Sequence, residues 1–222
     1  MTEYRSVSTI SIRYRMQNKA VKPSSEQSIL AAMSGKGSVR IQLDSKKWVT
    51  TGIDLLAKEG IAGLRIESLA KRCGVTKGSF YWHFKDRQAL LDAILEQWKQ
   101  GRIRDIEKST ALVPGKEHEQ LQFAFEIYGS NRNRKGMAIE LAVRDWARHD
   151  SRAAAVVESV DLYRLECTCK LFVSAGMNAA DAKSRSLLLY ACVFGLSLMH
   201  YANFDDNIGD LKQRISAHIV SN

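Results

Sequence analysis

The chain has 222 residues, 45% of them hydrophobic and 26% charged, with a formal net charge of +9. This composition excludes a collagen-like or wholly disordered chain and allows one domain with a full core or two small ones. The positive charge is uneven: residues 1–43 carry seven Lys/Arg against Glu3 and Glu26, residues 44–104 twelve against seven acids, and residues 105–222 fourteen against fifteen. That asymmetry points to an N-terminal part that meets a polyanion and a C-terminal part that does not. The only prolines are Pro23 and Pro114, which favours long helices over a strand-and-turn fold.

Residues 1–43 have weak periodicity and the loop-like run Ser34-Gly35-Lys36-Gly37-Ser38, and are expected to form a flexible basic arm. A first helix is expected from about Ser45 to Glu59, with Trp48, Val49, Gly52, Ile53, Leu55 and Leu56 at helical spacing and Gly60 as its stop. A second, short helix covers about Ile66 to Arg72, where Ile66, Leu69, Ala70 and Cys73 form one face. Gly74 breaks it, and the Thr76 hydroxyl is expected to cap a third helix running to Trp82. A fourth begins near Asp86 and runs to about Ile106 on the stripe Leu90, Ile94 and Trp98.

Beyond the break at Leu112-Val113-Pro114-Gly115, helical patterns cover about 117–129, 135–149, 151–174, 180–203 and 208–219. Asp150 or Ser151 caps the third of these and Asn178 the fourth, with Gly176 between them. No segment alternates like a strand, so the expected fold class is all-α. Residues 1–30 lack the continuous apolar stretch of a signal peptide. The longest apolar stretch, Leu187 to Ala202, is shorter than the ~20 residues that cross a bilayer. Cys73, Cys167, Cys169 and Cys192 mostly sit in apolar helical patterns, which suits reduced thiols and a cytoplasmic location.

The two short helices joined by Gly74-Val75-Thr76 have helix-turn-helix spacing. In the second, Phe80 and Phe84 lie four apart and face the core. That leaves Lys77, Ser79, Tyr81, Trp82 and His83 near the outward side, followed by Lys85 and Arg87. Two aromatics on the outer face of a short basic helix are unusual for a solvated surface. A DNA major groove gives them a use: Tyr and His bond phosphate, Lys reaches phosphate or a base edge, and Trp packs on a thymine methyl or sugar.

The pattern is specific. Gly60, Leu69-Ala70, and then Gly74 through Arg87 with Leu90-Leu91 together resemble the DNA-binding domain of the TetR family of bacterial regulators over roughly residues 45–95. The resemblance implies a homodimer whose N-terminal heads read the halves of a near-palindromic operator. It implies C-terminal helices that form the dimer interface and a pocket for a small-molecule effector. Carried onto this chain, phosphate contacts fall to Thr76, Tyr81, His83, Lys85 and Arg87, and base contacts to Lys77, Gly78, Ser79 and Trp82. The expected organisation is an arm over 1–43, a DNA-binding domain over 44–104 with its motif at about 65–84, and a ligand-binding and dimerisation domain over 105–222.

Three positions depart from the family pattern. Arg65 stands where Ser or Thr usually caps the second helix, and is free to grip phosphate instead. Glu67 occupies a place where some relatives put a base-reading basic residue; an acid there repels phosphate but can accept from a cytosine amine. Gly52 replaces a common Ala at a helix-propensity cost of ~1 kcal/mol.

In the C-terminal half, Trp98, Phe123, Tyr128, Met137, Trp146 and Tyr163 are candidate pocket lining, although aromatics at helical spacing are more often simply core. The helix at 180–203 is apolar nearly all round and must be buried on every side. Leu189, Cys192, Gly195, Leu196 and Met199 are therefore expected in a four-helix dimer interface with 151–174. No nucleophile triad, phosphate loop, cofactor motif or metal-ligand set is visible, which argues against an enzyme. The competing readings are a ligand-independent regulator or activator, and a helical-bundle carrier of small molecules without specific DNA recognition.

Overall fold

The computed structural model describes residues 44–129 and 134–221, with the side chains of 127–129 left out; the expected arm over 1–43 and the side chain of Tyr128 lie outside the described residues. Among these residues the regular structure is helical: α1 (Ser45–Gly63), α2 (Ile66–Cys73), α3 (Lys77–Phe80), α4 (Arg87–Ser109), α5 (Glu117–Gly129), α6 (Arg134–Ala147), α7 (Ser151–Ser174), α8 (Ala179–Leu198) and α9 (Ile208–Val220). None is long and apolar enough to cross a membrane.

Side chains fix the helix starts. Asp44 accepts from the Lys46 amide, Asp86 from that of Ala89, and Asp150 from those of Arg152 and Ala153. Asn178 does the same for α8 and Asn207 for α9. Each satisfies backbone donors that the first turn leaves unpaired. Gly60 breaks α1 as expected, at φ 66°, ψ −171°, but three further residues resume the helix to Gly63. Gly74, at φ 70°, closes α2 in the left-handed region that glycine adopts without steric cost.

Two expected features differ. α3 is shorter than predicted, and the Thr76 hydroxyl makes no cap hydrogen bond. The Ser79 amide that it would have capped is already bound to the Thr76 carbonyl at 3.0 Å in a tight turn. α8 stops at Leu198 rather than near 203: Ser197 bonds back to the Val193 and Phe194 carbonyls, and Met199 turns to extended backbone.

Two cores form. The first joins Trp48, Leu55, Leu56, Leu69, Phe80, Leu90 and Ile94 to Val143, Trp146 and Val160, so α1–α4 share it with α6 and the first half of α7. The second joins Leu121, Phe125, Leu171, Phe172, Leu189, Tyr190 and Val193 to Ile219 and Val220. Between α6 and α7 lies a buried charge cluster. Glu140 pairs with Arg144 at 2.9 Å and with Arg164 at 3.3 Å, and Asp161 pairs with both arginines. Arg102 of α4 approaches Glu140 at 4.0 Å, and the Arg144 guanidinium lies 4.2 Å from the Phe194 ring centre.

Gly52 has a packing reason. A β-carbon there would lie 2.5 Å from Ile94 Cδ1, so its absence lets α1 close on α4. Gly52→Ala is expected to destabilise the fold by about 1–3 kcal/mol despite the better helix propensity of alanine. Adding Ile94→Val, which removes the clashing methyl, should recover part of that loss. Urea unfolding of the single and double variants measures it; additive effects would show that the two positions do not touch.

Candidate nucleic-acid interface

α3 has four residues, too few to persist alone. Phe80 holds it. Its ring is fully buried, set edge-on to Trp48 at 5.4 Å and stacked on Phe84 at 5.4 Å. With Phe80 inward, the rest of the turn must face out: Tyr81 is 53% and Trp82 88% exposed. Thr76, Lys77, Gly78 and Lys85 are also exposed, while Ser79 and His83 are half-buried. The side chains picked out from helical spacing thus share one short segment, and Phe80 and Phe84 point inward as the spacing requires.

Arg87 has a different task from the rest. Its Nε donates to the Leu64 carbonyl at 2.7 Å and its Nη2 to the Ile61 carbonyl at 3.3 Å. It fastens the start of α4 to the end of α1 while the residue itself stays exposed. Sequence spacing could not reveal this, because the acceptors lie more than twenty positions away. Arg65 takes the cap position of α2 without a side-chain cap bond.

The acid at 67 is held by a partner that sequence reasoning missed. Lys77 Nζ lies 2.5 Å from Glu67 Oε1. The hydrogen bond from Lys77 holds the Glu67 carboxyl below the usual carboxylate range, and the same bond pushes the Lys77 ammonium up. Nearby, Arg72 of α2 pairs with Glu59 of α1 at 2.7 Å.

The expected pocket lining does not gather in one place. Trp98 and Trp146 are nearly fully buried, and with Tyr163 they belong to the first core, whereas Met137 packs on the second. The Trp98 indole N–H is buried without a hydrogen-bond partner. Tyr163 donates to the Glu107 carboxylate at 3.1 Å, which pushes its phenol up to about 12. Phe123 is 41% exposed, because α5 turns Leu121, Ala124 and Phe125 inward instead. A hollow of about 450 Å³ at the start of α8, bordered by Gly176, Asn178, Asp181 and Arg185 among others, touches none of these residues.

The expected dimer residues also divide. Leu189 is fully buried in the chain's own second core, and Cys192 and Leu196 pack half-buried against it. Met199 is exposed, and a β-carbon on Gly195 would meet nothing. The outward apolar residues of α8 are Leu187, Leu188 and Leu198, and those of α7 are Leu162 and Val173. A helix apolar all round gives no sequence signal for which side meets its own core, and here Leu189 takes that side while Leu187 and Leu188 stay outside.

Residues 49–94 match the family model for bacterial regulatory proteins, tetR family. The chain is 34% identical over 90 residues to the HTH-type transcriptional regulator YerO of Bacillus subtilis, covering 38% of this chain and 31% of the length of that protein. It is 28% identical over 158 residues to the class A tetracycline repressor from transposon 1721 of Escherichia coli, covering 71% of this chain and 67% of that one. Similar solved structures include a transcriptional regulator from Saccharomonospora viridis in complex with choline, at a TM-score of 0.67 and 14% identity over 80% of this chain and 96% of that chain. A regulator from Pseudomonas aeruginosa PAO1 matches at a TM-score of 0.66 and 17% identity, over 82% and 93% of the two chains. The structural matches speak for the fold, and the residue pattern over 49–94 speaks for the head: that segment is a DNA-binding domain of the tetR family of bacterial regulatory proteins, and over more of its length the chain resembles transcriptional regulators of that kind.

Proposed function

We propose that this regulator is a homodimeric repressor that acts in the cytoplasm, binds a near-palindromic operator, and leaves it when a small-molecule effector binds. In this reading residues 44–104 read DNA and residues 105–222 dimerise and sense the effector. The observation that carries it is the outward side of α3 and of the turn that follows it, where Tyr81 and Trp82 stand exposed among basic residues while Phe80 is fully buried. Thr76, Tyr81, His83 and Lys85 grip phosphates, and Lys77, Gly78, Ser79 and Trp82 meet base edges.

Dimerisation is supported by the apolar residues left outward on α7 and α8 and by the open space over Gly195, which suits close approach of a second helix. Control by an effector is supported by the packing: α4 carries both a head-fastening residue, Arg87, and Arg102 beside the buried charge cluster. A shift of α6 or α7 around a bound molecule would thus be felt at the head. Activation, or regulation without a ligand, remains the alternative that operator-bound and effector-bound states separate.

Tyr81→Ala and Lys85→Ala are expected to weaken binding to every duplex, and Lys85→Ala also to lower the slope of log affinity against log salt by about 1. Trp82→Ala should relax sequence preference by roughly 1–3 kcal/mol while leaving the melting temperature unchanged, because its side chain is almost fully exposed. Titrations at several salt concentrations test both; parent-like binding by all three variants would place the interface elsewhere. Leu188→Arg is expected to give a folded monomer with weakened operator binding. Sedimentation that still shows a dimer would exclude this face.

A further inference from the structure

Glu67 is the second residue of α2 and Lys77 the first of α3. The left-handed turn at Gly74 brings these helix starts together, and the two side chains meet at 2.5 Å. Both are more than half exposed, at 64% and 53% of the side chain. Exposed ion pairs add little to folding stability, so stability does not account for an acid in an otherwise basic face. Lys77 opens the same short exposed segment that carries Tyr81 and Trp82. The pair therefore stands within the face assigned to DNA.

An isolated carboxylate in that place repels phosphate. A carboxylate bonded to an ammonium instead presents an acceptor beside a donor at a fixed spacing. The major-groove edge of a G·C pair presents the complement: the N7 and O6 acceptors of guanine, then the N4 amine of cytosine. O6 and N4 are bonded to each other at about 2.9 Å, close to the separation of Lys77 Nζ and Glu67 Oε1. Lys77 keeps two further protons for O6 and N7, and Glu67 keeps its second oxygen for N4. In an A·T pair the thymine O4 stands alone beside a methyl group, so Lys77 loses one acceptor.

We propose that Glu67 and Lys77 act as one couple that reads a G·C pair in each half-site, Lys77 on guanine and Glu67 on the cytosine amine. Within the couple Glu67 also keeps Lys77 from gripping phosphates at random. This inference rests on the DNA-reading face proposed above. It goes beyond that reading by making the acid a specificity-determining residue and by naming the base pair.

The test uses the full chain and the duplex that it retains from a random pool. Binding of the parent, Glu67→Ala, Glu67→Gln and Lys77→Met is measured on that duplex, on versions changed one base pair at a time, and on random duplex across a salt series. The parent is expected to lose about tenfold or more when one G·C pair per half-site becomes A·T. Glu67→Ala should reduce that loss to twofold or less at this position alone. It should also bind random duplex more tightly, with a salt slope steeper by up to about 0.9. Lys77→Met should lose preference at the same position. Unchanged preference in Glu67→Ala, a uniform loss across all positions, or weaker binding to random duplex would overturn the couple while leaving the DNA-reading face in place. A parent that retains no preferred sequence would overturn both.

Discussion

A four-residue helix cannot hold its own shape, and the face proposed to meet DNA depends on what holds α3. The answer is Phe80, fully buried between Trp48 and Phe84. Truncating a phenylalanine so placed costs on the order of 3–5 kcal/mol, a large part of the stability of an ordinary domain. Because neighbouring residues in a turn point apart, burying Phe80 forces Tyr81 and Trp82 outward. The exposed aromatics are thus a consequence of the anchor, and the anchor in turn depends on α1, which supplies Trp48. Gly52 lets α1 lie close on α4, and Arg87 ties the far end of α1 to the start of α4.

The same architecture links the head to the rest of the chain. α4 has 23 residues, about 35 Å at the usual helical rise. One end is fastened to the end of α1, and further along it Arg102 reaches toward Glu140. Glu140, Arg144, Asp161 and Arg164 then bind α6 to α7. Removing one member of such a buried cluster leaves another charge uncompensated, at roughly 3–5 kcal/mol, so α6 and α7 are held in one register. The first core runs without interruption from Trp48 to Val160, which gives a movement in the C-terminal helices a packed route to α3.

Much of this was legible in the sequence. The helix starts could be read because Asp86, Asp150 and Asn178 are caps whose chemistry is local, and Gly74 and Gly176 mark ends for the same reason. The inward and outward sides of α3 followed from Phe80 and Phe84 at i and i+4. What was not legible depends on contacts between distant segments. The Glu67–Lys77 pair joins two helices, and Arg87 bonds carbonyls of α1. Arg144 of α6 likewise pairs with Asp161 of α7, 17 positions away. The side of α8 facing its own core was ambiguous because Leu187, Leu188 and Leu189 are alike, and only packing against Phe172 and Ile219 decides among them. Phe123 and Met137 could not be placed for the same reason.

The central claim is that the outward face of α3, presented twice by a symmetric pair of chains, reads a defined DNA sequence. The most direct measurement is selection of retained sequences from random duplex DNA by the full chain at near-physiological salt. The account predicts a near-palindrome with two equal half-sites about one helical turn, or a small multiple of it, apart. Recovery of no sequence above the non-specific background, or of one unrepeated half-site, would contradict it.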